Sequence, residues 1–370
     1  MKFKCDRDVL AEALATVQRG VSSRPGIPAL AGVLMQADND ELVLSTTDLE
    51  IAARLTCQVS VSEPGTALMP ARLVADIVKS LPQAPVEVEA DDAKAKIMCG
   101  SYEGTIRCLP AEDFPAAREP AGIRVTCSAA EFAESVQQVS KAASRDDARP
   151  TLTGVLVEAA HEGVTLVATD SYRLAIRDLP ATGDGEAKAL VPERALSEAG
   201  RAAGALEKGE VEIRLEESQA TFQIGGLTLT TRLIEGEFPA YRQLLPEEYD
   251  NKLEVPRTTL LEAVKRVGLL ARDNSPIRLE FNALGGVRLS SSSPDLGGSV
   301  EAVEASYTGE ELTVAFNPQY LSDGLSVTTG ERATLEVRDG LKPAVVRGEG
   351  SSGFTYLVMP VRLPASVPAQ

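Results

Sequence analysis

Apolar positions along this chain recur at two spacings, and the two alternate. Leu10, Leu14 and Val17 lie at helical spacing behind Asp6, whose carboxylate suits a helix N-cap. Phe132, Val136 and Val139 form a second stripe behind Ser128-Ala129-Ala130-Glu131, a capping box in which hydroxyl and carboxylate satisfy each other's orphan backbone donors. Thr259-Leu260-Leu261-Glu262 repeats that spacing ahead of Val264 and Val267. Between the stripes lie β-branched alternating runs such as Leu42-Val43-Leu44 and Val164-Thr165-Leu166-Val167-Ala168, punctuated by Gly and Pro as strands are. A further helix is predicted after each of Pro70, Pro192 and Pro318, because a proline's fixed φ suits a first turn and its missing N–H would have had no partner there.

The same order of elements is written three times. Leu30-Ala31-Gly32-Val33-Leu34 returns as Leu152-Thr153-Gly154-Val155-Leu156, and Thr47-Asp48 as Thr169-Asp170, both 122 positions on (32 to 154, 47 to 169). Met69-Pro70, Val191-Pro192 and Asn317-Pro318 mark one site in three copies. Val86-Glu87-Val88, Val211-Glu212-Ile213 and Leu335-Glu336-Val337 mark another. Glu112-Asp113-Phe114-Pro115 returns as Gly236-Glu237-Phe238-Pro239. Five landmarks in one order imply three homologous domains of about 120 residues. Their expected bounds are 1–121, 122–247 and 248–363, followed by a Pro-containing tail, 364–370. Two helices and about eight short strands in each imply an α+β domain with both helices on one sheet face.

Composition narrows the class. The chain is 44% hydrophobic, and none of its apolar runs approaches the ~20 residues of a membrane helix. Met1-Lys2-Phe3-Lys4-Cys5-Asp6 lacks a signal-peptide apolar region, so a cytoplasmic location is expected. Five cysteines, odd in number and without CxxC, fit buried thiols in a reducing compartment better than a disulfide framework or a zinc site. A net charge of −17 ordinarily speaks against nucleic acid. The bulk sign decides little, however, if cations gather on one surface. Arg7, Arg19, Arg72, Lys79, Lys141, Arg194, Arg201, Lys265 and Arg266 fall on outward helix faces, mixed with Asp8, Asp76 and Glu198.

Catalytic chemistry is hard to assemble. His161 is the one histidine, placed in a turn; without a ligand cluster beside it no metal is expected. GxxxxGK[ST] is absent, and the Gly pairs at 225–226, 285–286 and 297–298 suit hairpin turns. Asp48 and Asp170 are the best carboxylate pair, but their matched positions in two repeats point to a shared Asx-turn. An enzyme built on those carboxylates, or a structural repeat protein without a DNA role, are the rival readings.

Longer motifs carry a resemblance. Val167-Ala168-Thr169-Asp170-Ser171-Tyr172-Arg173-Leu174-Ala175, Gly236-Glu237-Phe238-Pro239-Ala240-Tyr241-Arg242 with Leu245-Pro246, and Tyr356-Leu357-Val358-Met359-Pro360-Val361-Arg362-Leu363 resemble the bacterial DNA polymerase III beta subunits, the sliding clamps. Met1-Lys2-Phe3, Arg24-Pro25 before Pro28-Ala29-Leu30, and Thr47-Asp48-Leu49-Glu50 do so as well, so the likeness runs from residue 1 to about 363.

That resemblance implies two three-domain subunits joined head to tail into a dimeric ring, helices lining the hole and strands outside, a contact geometry that closes when the rotation divides a full turn. It implies a non-catalytic processivity factor that holds duplex DNA by enclosure, without sequence preference and without cofactors. Its partners would be the polymerase III catalytic subunit, the clamp loader, other polymerases and mismatch-repair proteins, in the cytoplasm at the nucleoid. They would dock short peptides in a pocket carried over onto Leu152, Thr169, Ser171, Tyr172, Arg173, Leu174, Pro239, Gln243, Leu244, Pro343, Leu357, Val358, Met359, Pro360, Val361 and Arg362. By that resemblance DNA contacts would fall on Arg24 and Arg72, to which the outward helix faces add Lys79, Lys141, Arg194 and Arg201, and Arg149 is a further candidate; the dimer contact would fall on Ile106 facing Leu269 and Leu270. The chain departs from the family pattern where Pro150-Thr151 replace aromatic residues and where Ser171-Tyr172 replace Gly-His.

Overall fold

The computed structural model describes residues 1–21, 26–116, 118–245, 249–271, 275–282, 286–350 and 352–362. Arg24, the 285–286 glycine pair's first member and the 364–370 tail lie outside them. Among the described residues are six α-helices: α1 (Arg7–Val17), α2 (Ala71–Ser80), α3 (Ala129–Ser140), α4 (Glu193–Gly204), α5 (Arg257–Gly268) and α6 (Pro318–Val327). Strands and helices follow one another in the same order three times, with nine strands in each round where about eight were expected.

Contacts group the described chain into two compact units. The first comprises Met1–Ala133, Ala159–Glu162 and Ala181–Leu233; the second comprises Glu134–Glu158, Gly163–Pro180 and the chain from Ile234 onward. Strand pairing explains the division. In the first unit a five-stranded antiparallel sheet runs Ser60–Glu63, Lys2–Cys5, Val86–Ala90, Lys94–Cys99, Tyr102–Arg107. A nine-stranded sheet runs Thr182–Gly183, Ile123–Ser128, Glu210–Leu215, Gln219–Ile224, Leu227–Arg232, Ile51–Gln58, Glu41–Thr47, Gly32–Asp38, Gly65–Pro70. Its middle seam, with Leu229 opposite Ala53 and Leu227 opposite Leu55, joins the last strand of the second repeat to the first repeat. Leu227 is buried in the same apolar cluster as Phe3, Leu10, Leu14, Met35, Leu44, Val78 and Ile97.

The second unit carries the same seam one repeat later. Its strands run in the order Gly163–Thr169, Arg173–Pro180, Phe354–Val358, Ala344–Gly348, Arg332–Val337, Asn251–Pro256, Ser306–Thr308. Ala175 stands opposite Tyr356 and Leu174 opposite Leu357. A separate four-stranded sheet runs Gly297–Val303, Gly286–Ser293, Ile277–Asn282, Leu312–Phe316. α6 lies close on the strand Phe354–Val358, because a Cβ at Gly324 would overlap the Tyr356 ring.

The alternating runs fold as their period demands. Val86 and Val88 are buried while Glu87 and Glu89 turn outward to Lys2. Asp6 caps α1 by accepting the Asp8 N–H at 2.8 Å, and Leu10, Leu14 and Val17 are buried. Gly225-Gly226 forms a two-residue hairpin turn between Ile224 and Leu227. Two local expectations need correction. α5 starts at Arg257, so Thr259 lies inside the helix and is not its cap; the preceding strand runs to Pro256 and leaves no room for a later start. The three prolines are also not equivalent: Pro70 and Pro192 occupy the cap position, but in the third repeat Asn317 does, accepting the Gln319 N–H at 2.9 Å and the Tyr320 N–H at 3.3 Å, and Pro318 is the first helical residue.

Candidate functional site

The segment Thr169–Arg173 connects two paired strands through a turn built by its own side chains. Asp170 Oδ1 accepts the N–H groups of Tyr172 and Arg173 at 2.9 and 3.0 Å, and Thr169 Oγ1 accepts that of Ser171 at 3.1 Å. Ser171 sits at φ +79. Asp48 builds the same turn in the first repeat, accepting from Glu50 and Ile51 at 3.0 and 2.8 Å, with Leu49 at φ +76. The paired aspartates are Asx-turn residues, as their spacing suggested.

This turn places Tyr172 outward, 56% exposed, and stacks its ring on Tyr320 of α6 at 6.2 Å. The Arg173 guanidinium lies 4.5 Å from the Tyr320 ring centroid and pairs with Asp170 at 3.0 Å and Asp323 at 2.5 Å. Burial opposes its charge, while Tyr356, Asp323 and Asp170 hold the proton on more firmly than usual. A guanidinium so enclosed braces the Tyr320–Tyr172 stack.

Strand pairing brings the C-terminal segment alongside. Arg173 faces Val358, and Met359 donates its N–H to the Tyr172 carbonyl at 2.8 Å. Val361 is tied to the Ala315 carbonyl at 2.8 Å. Pro343 precedes Ala344, which pairs with Val358. Pro239, Gln243 and Leu244 are carried on one turn near the surface, and Met359, Pro360 and Val361 are half-buried. Leu152, Thr169, Leu174, Leu357 and Val358 are buried. Arg362 is exposed. Sequence reasoning missed Tyr320 and Asp323, which come from α6 across 150 positions of chain, and the exposed Leu341 on the loop before Pro343.

Of the six described cations expected to meet DNA, three are held closely by acids, and Lys141 stands 4.0 Å from Asp323. Arg194 pairs with Asp48 at 2.9 Å, and Arg19 and Arg201 share Glu198 at 2.7 and 2.8 Å. Lys141 donates to Ser326 Oγ at 2.8 Å. Arg149 pairs with Asp146 at 2.9 Å, and the Ala148 N–H together with Arg149 holds the Asp146 carboxyl below its usual range. Arg72 and Lys79 on α2 are exposed and make no ion pair among the described residues. Of the expected dimer residues, Ile106 is turned into the first-repeat core, Leu270 is half-buried and Leu269 is 74% exposed.

Comparison with known proteins decides the family. Sequence profiles of the N-terminal, central and C-terminal domains of the DNA polymerase III beta subunit match residues 1–118, 126–240 and 242–362. The chain belongs to the DNA polymerase III beta subunit family. The beta sliding clamp of Streptomyces coelicolor is 40% identical over 378 residues, spanning 98% of this chain and all of its own. The beta sliding clamp homolog GriR of Streptomyces muensis is 36% identical, spanning 98% and 99%. Among solved structures, a DnaN sliding clamp from Pseudomonas aeruginosa bound to griselimycin superposes with a TM-score of 0.94 at 30% identity, covering 98% of this chain and 100% of its own. The Bacillus subtilis sliding clamp does so at 0.93 and 28%, with the same coverage. As a polymerase III beta subunit, the protein is a DNA sliding clamp, a processivity factor of replication and not itself an enzyme. No helix among its described residues is long and apolar enough to cross a membrane.

Proposed function

We propose that two copies of this beta subunit close head to tail around duplex DNA, and that the surface around Tyr172, Leu244, Met359 and Pro360 tethers polymerase, clamp loader and repair proteins by short peptides. One observation carries the closure. Leu227–Arg232 and Phe354–Val358 are each covered by the strand Ile51–Gln58 or Arg173–Pro180. Their counterpart in the first repeat, Tyr102–Arg107, is a sheet edge, and so is Gly297–Val303, the counterpart of the covering strands. Each chain therefore offers one edge of each kind, and a second copy supplies the complement of both.

Side chains support the same contact. The Val17 carbonyl accepts Thr46 Oγ1 at 2.5 Å and the Val267 carbonyl accepts Ser291 Oγ at 2.7 Å, so Leu269 takes the place of Arg19, two residues further on. Arg19 meets α4 within the chain, whereas Leu269 is left exposed. On α2, Leu73 is 47% exposed where its match on α4, Ala195, is fully buried. Val300, on the open edge, is also exposed. An edge strand with apolar residues around it calls for a partner.

Arg72, Lys79, Lys141, Arg149, Arg194, Arg201 and the undescribed Arg24 are the cations proposed to face the duplex. Arg149, Arg194 and Arg201 already neutralise acids, so phosphate gains little from them, which suits a protein that slides. We place the protein in the cytoplasm, at the nucleoid. The test is retention after loading: the protein is expected to stay on nicked circular DNA and to be lost when the circle is cut. Equal retention on both would refute enclosure.

A further inference from the structure

We propose that Glu158, on the strand Gly154–Ala160, is the positioning residue that sets one wall of the peptide pocket. This inference rests on the pocket reading above. The turn that displays Pro239, Gln243 and Leu244 is closed by short-range bonds: Tyr241 N–H to Pro239 O at 2.7 Å, Gln243 N–H to Ala240 O at 3.3 Å and Leu245 N–H to Arg242 O at 3.4 Å. Such a turn has a shape of its own but needs an anchor to the body of the unit. The described residues give it one in Glu158.

Tyr241, buried within this otherwise exposed turn, donates its phenol O–H to Glu158 Oε2 at 2.7 Å, and Arg242 donates from Nη2 to the same oxygen at 3.1 Å. The Glu158 side chain is itself mostly buried, and the Arg242 guanidinium folds over the Tyr241 ring at 5.4 Å. Burial and the adjacent Glu158 push the Tyr241 phenol up to about 12, so it remains a donor throughout the neutral range. A buried charged acceptor with two donors fixes the turn in height and rotation, and Leu244, two residues beyond Arg242, is carried with it. Glu158 does not touch a docked peptide in this scheme; it acts through Tyr241.

The experiment measures the affinity of a fluorescein-labelled peptide copied from the C-terminal tail of the replicative polymerase, by anisotropy, together with thermal melting. Tyr241→Phe, which removes one hydrogen bond to a charged group, is expected to weaken capture about tenfold, and Glu158→Ala, which removes the bonds from both Tyr241 and Arg242, at least as much. Glu158→Gln, which keeps an acceptor for the phenol, should recover most of that loss. Ser291→Ala, which removes a buried hydrogen bond from the four-stranded sheet to the Val267 carbonyl of α5, lowers melting without affecting capture and separates instability from positioning. Leu244→Asp alters the displayed residue directly. If Leu244→Asp abolishes capture while Glu158→Ala and Tyr241→Phe bind as the parent does, the positioning role is wrong and the pocket stands. If Leu244→Asp also binds normally, the pocket itself lies elsewhere.

Discussion

At the scale of single residues, two backbone positions carry strain that a substitution can release. Leu49 and Ser171 sit in the left-handed region, held there by Asp48 and Asp170. A Cβ at such a φ costs on the order of 1 kcal/mol, and a β-branched one more. Leu49→Gly is therefore expected to raise the urea midpoint slightly and Leu49→Val to lower it clearly. Thiols give a second prediction. Burial pushes Cys5 and Cys127 up to about 12 from an ordinary value of 9.0. Their folded-state values are raised, so the stability they contribute is whole below pH 9 and is lost as pH climbs toward 12, by up to about 1.4 kcal/mol per pH unit for each thiol. Denaturant titrations at stepwise higher pH across the alkaline range should show that decline, and Cys127→Ala should remove one thiol's share of it.

At the scale of elements, the legible features were those whose cause is local. The turns at Asp48 and Asp170, the cap at Asp6 and the buried stripe Phe132, Val136, Val139 each depend on residues within a few positions of one another. What escaped was set from a distance. The start of α5 is fixed by the strand before it, and the fate of Arg173 by Asp323 and Tyr320, which no spacing along the chain brings to it. Nothing in the sequence signals the enclosure of Arg173 between two carboxylates and a ring. α6 offers a clean measurement at this scale. Asn317 alone among the three matched caps bonds its helix through a side chain, so Asn317→Ala should cost about 1 kcal/mol in a urea titration, whereas Pro70→Ala removes no such bond.

At the scale of the molecule, the repeat was plain in the letters while the seams were not, because periodicity says which face of a strand is buried and nothing about which strand lies beside it. Leu229 opposite Ala53 and Tyr356 opposite Ala175 mark the two seams, and the open edges Tyr102–Arg107 and Gly297–Val303 define the proposed third. Leu269→Asp puts a charge into that contact and should weaken self-association at least about 100-fold, read by sedimentation equilibrium and by loss from nicked circles. A monomer and dimer in unchanged proportion would place the contact elsewhere.

The seam at Leu229 has one more effect. Duplication copied a stretch that begins near a strand such as Lys2–Cys5, but the blocks that cohere by contact start and stop mid-copy. The repeats and the contact blocks are thus out of phase. A fragment trimmed at the genetic boundary would expose raw backbone along Ile51–Gln58, while one trimmed at the contact boundary would have to be assembled from three separate pieces of chain. Neither cut yields a tidy miniature of the whole.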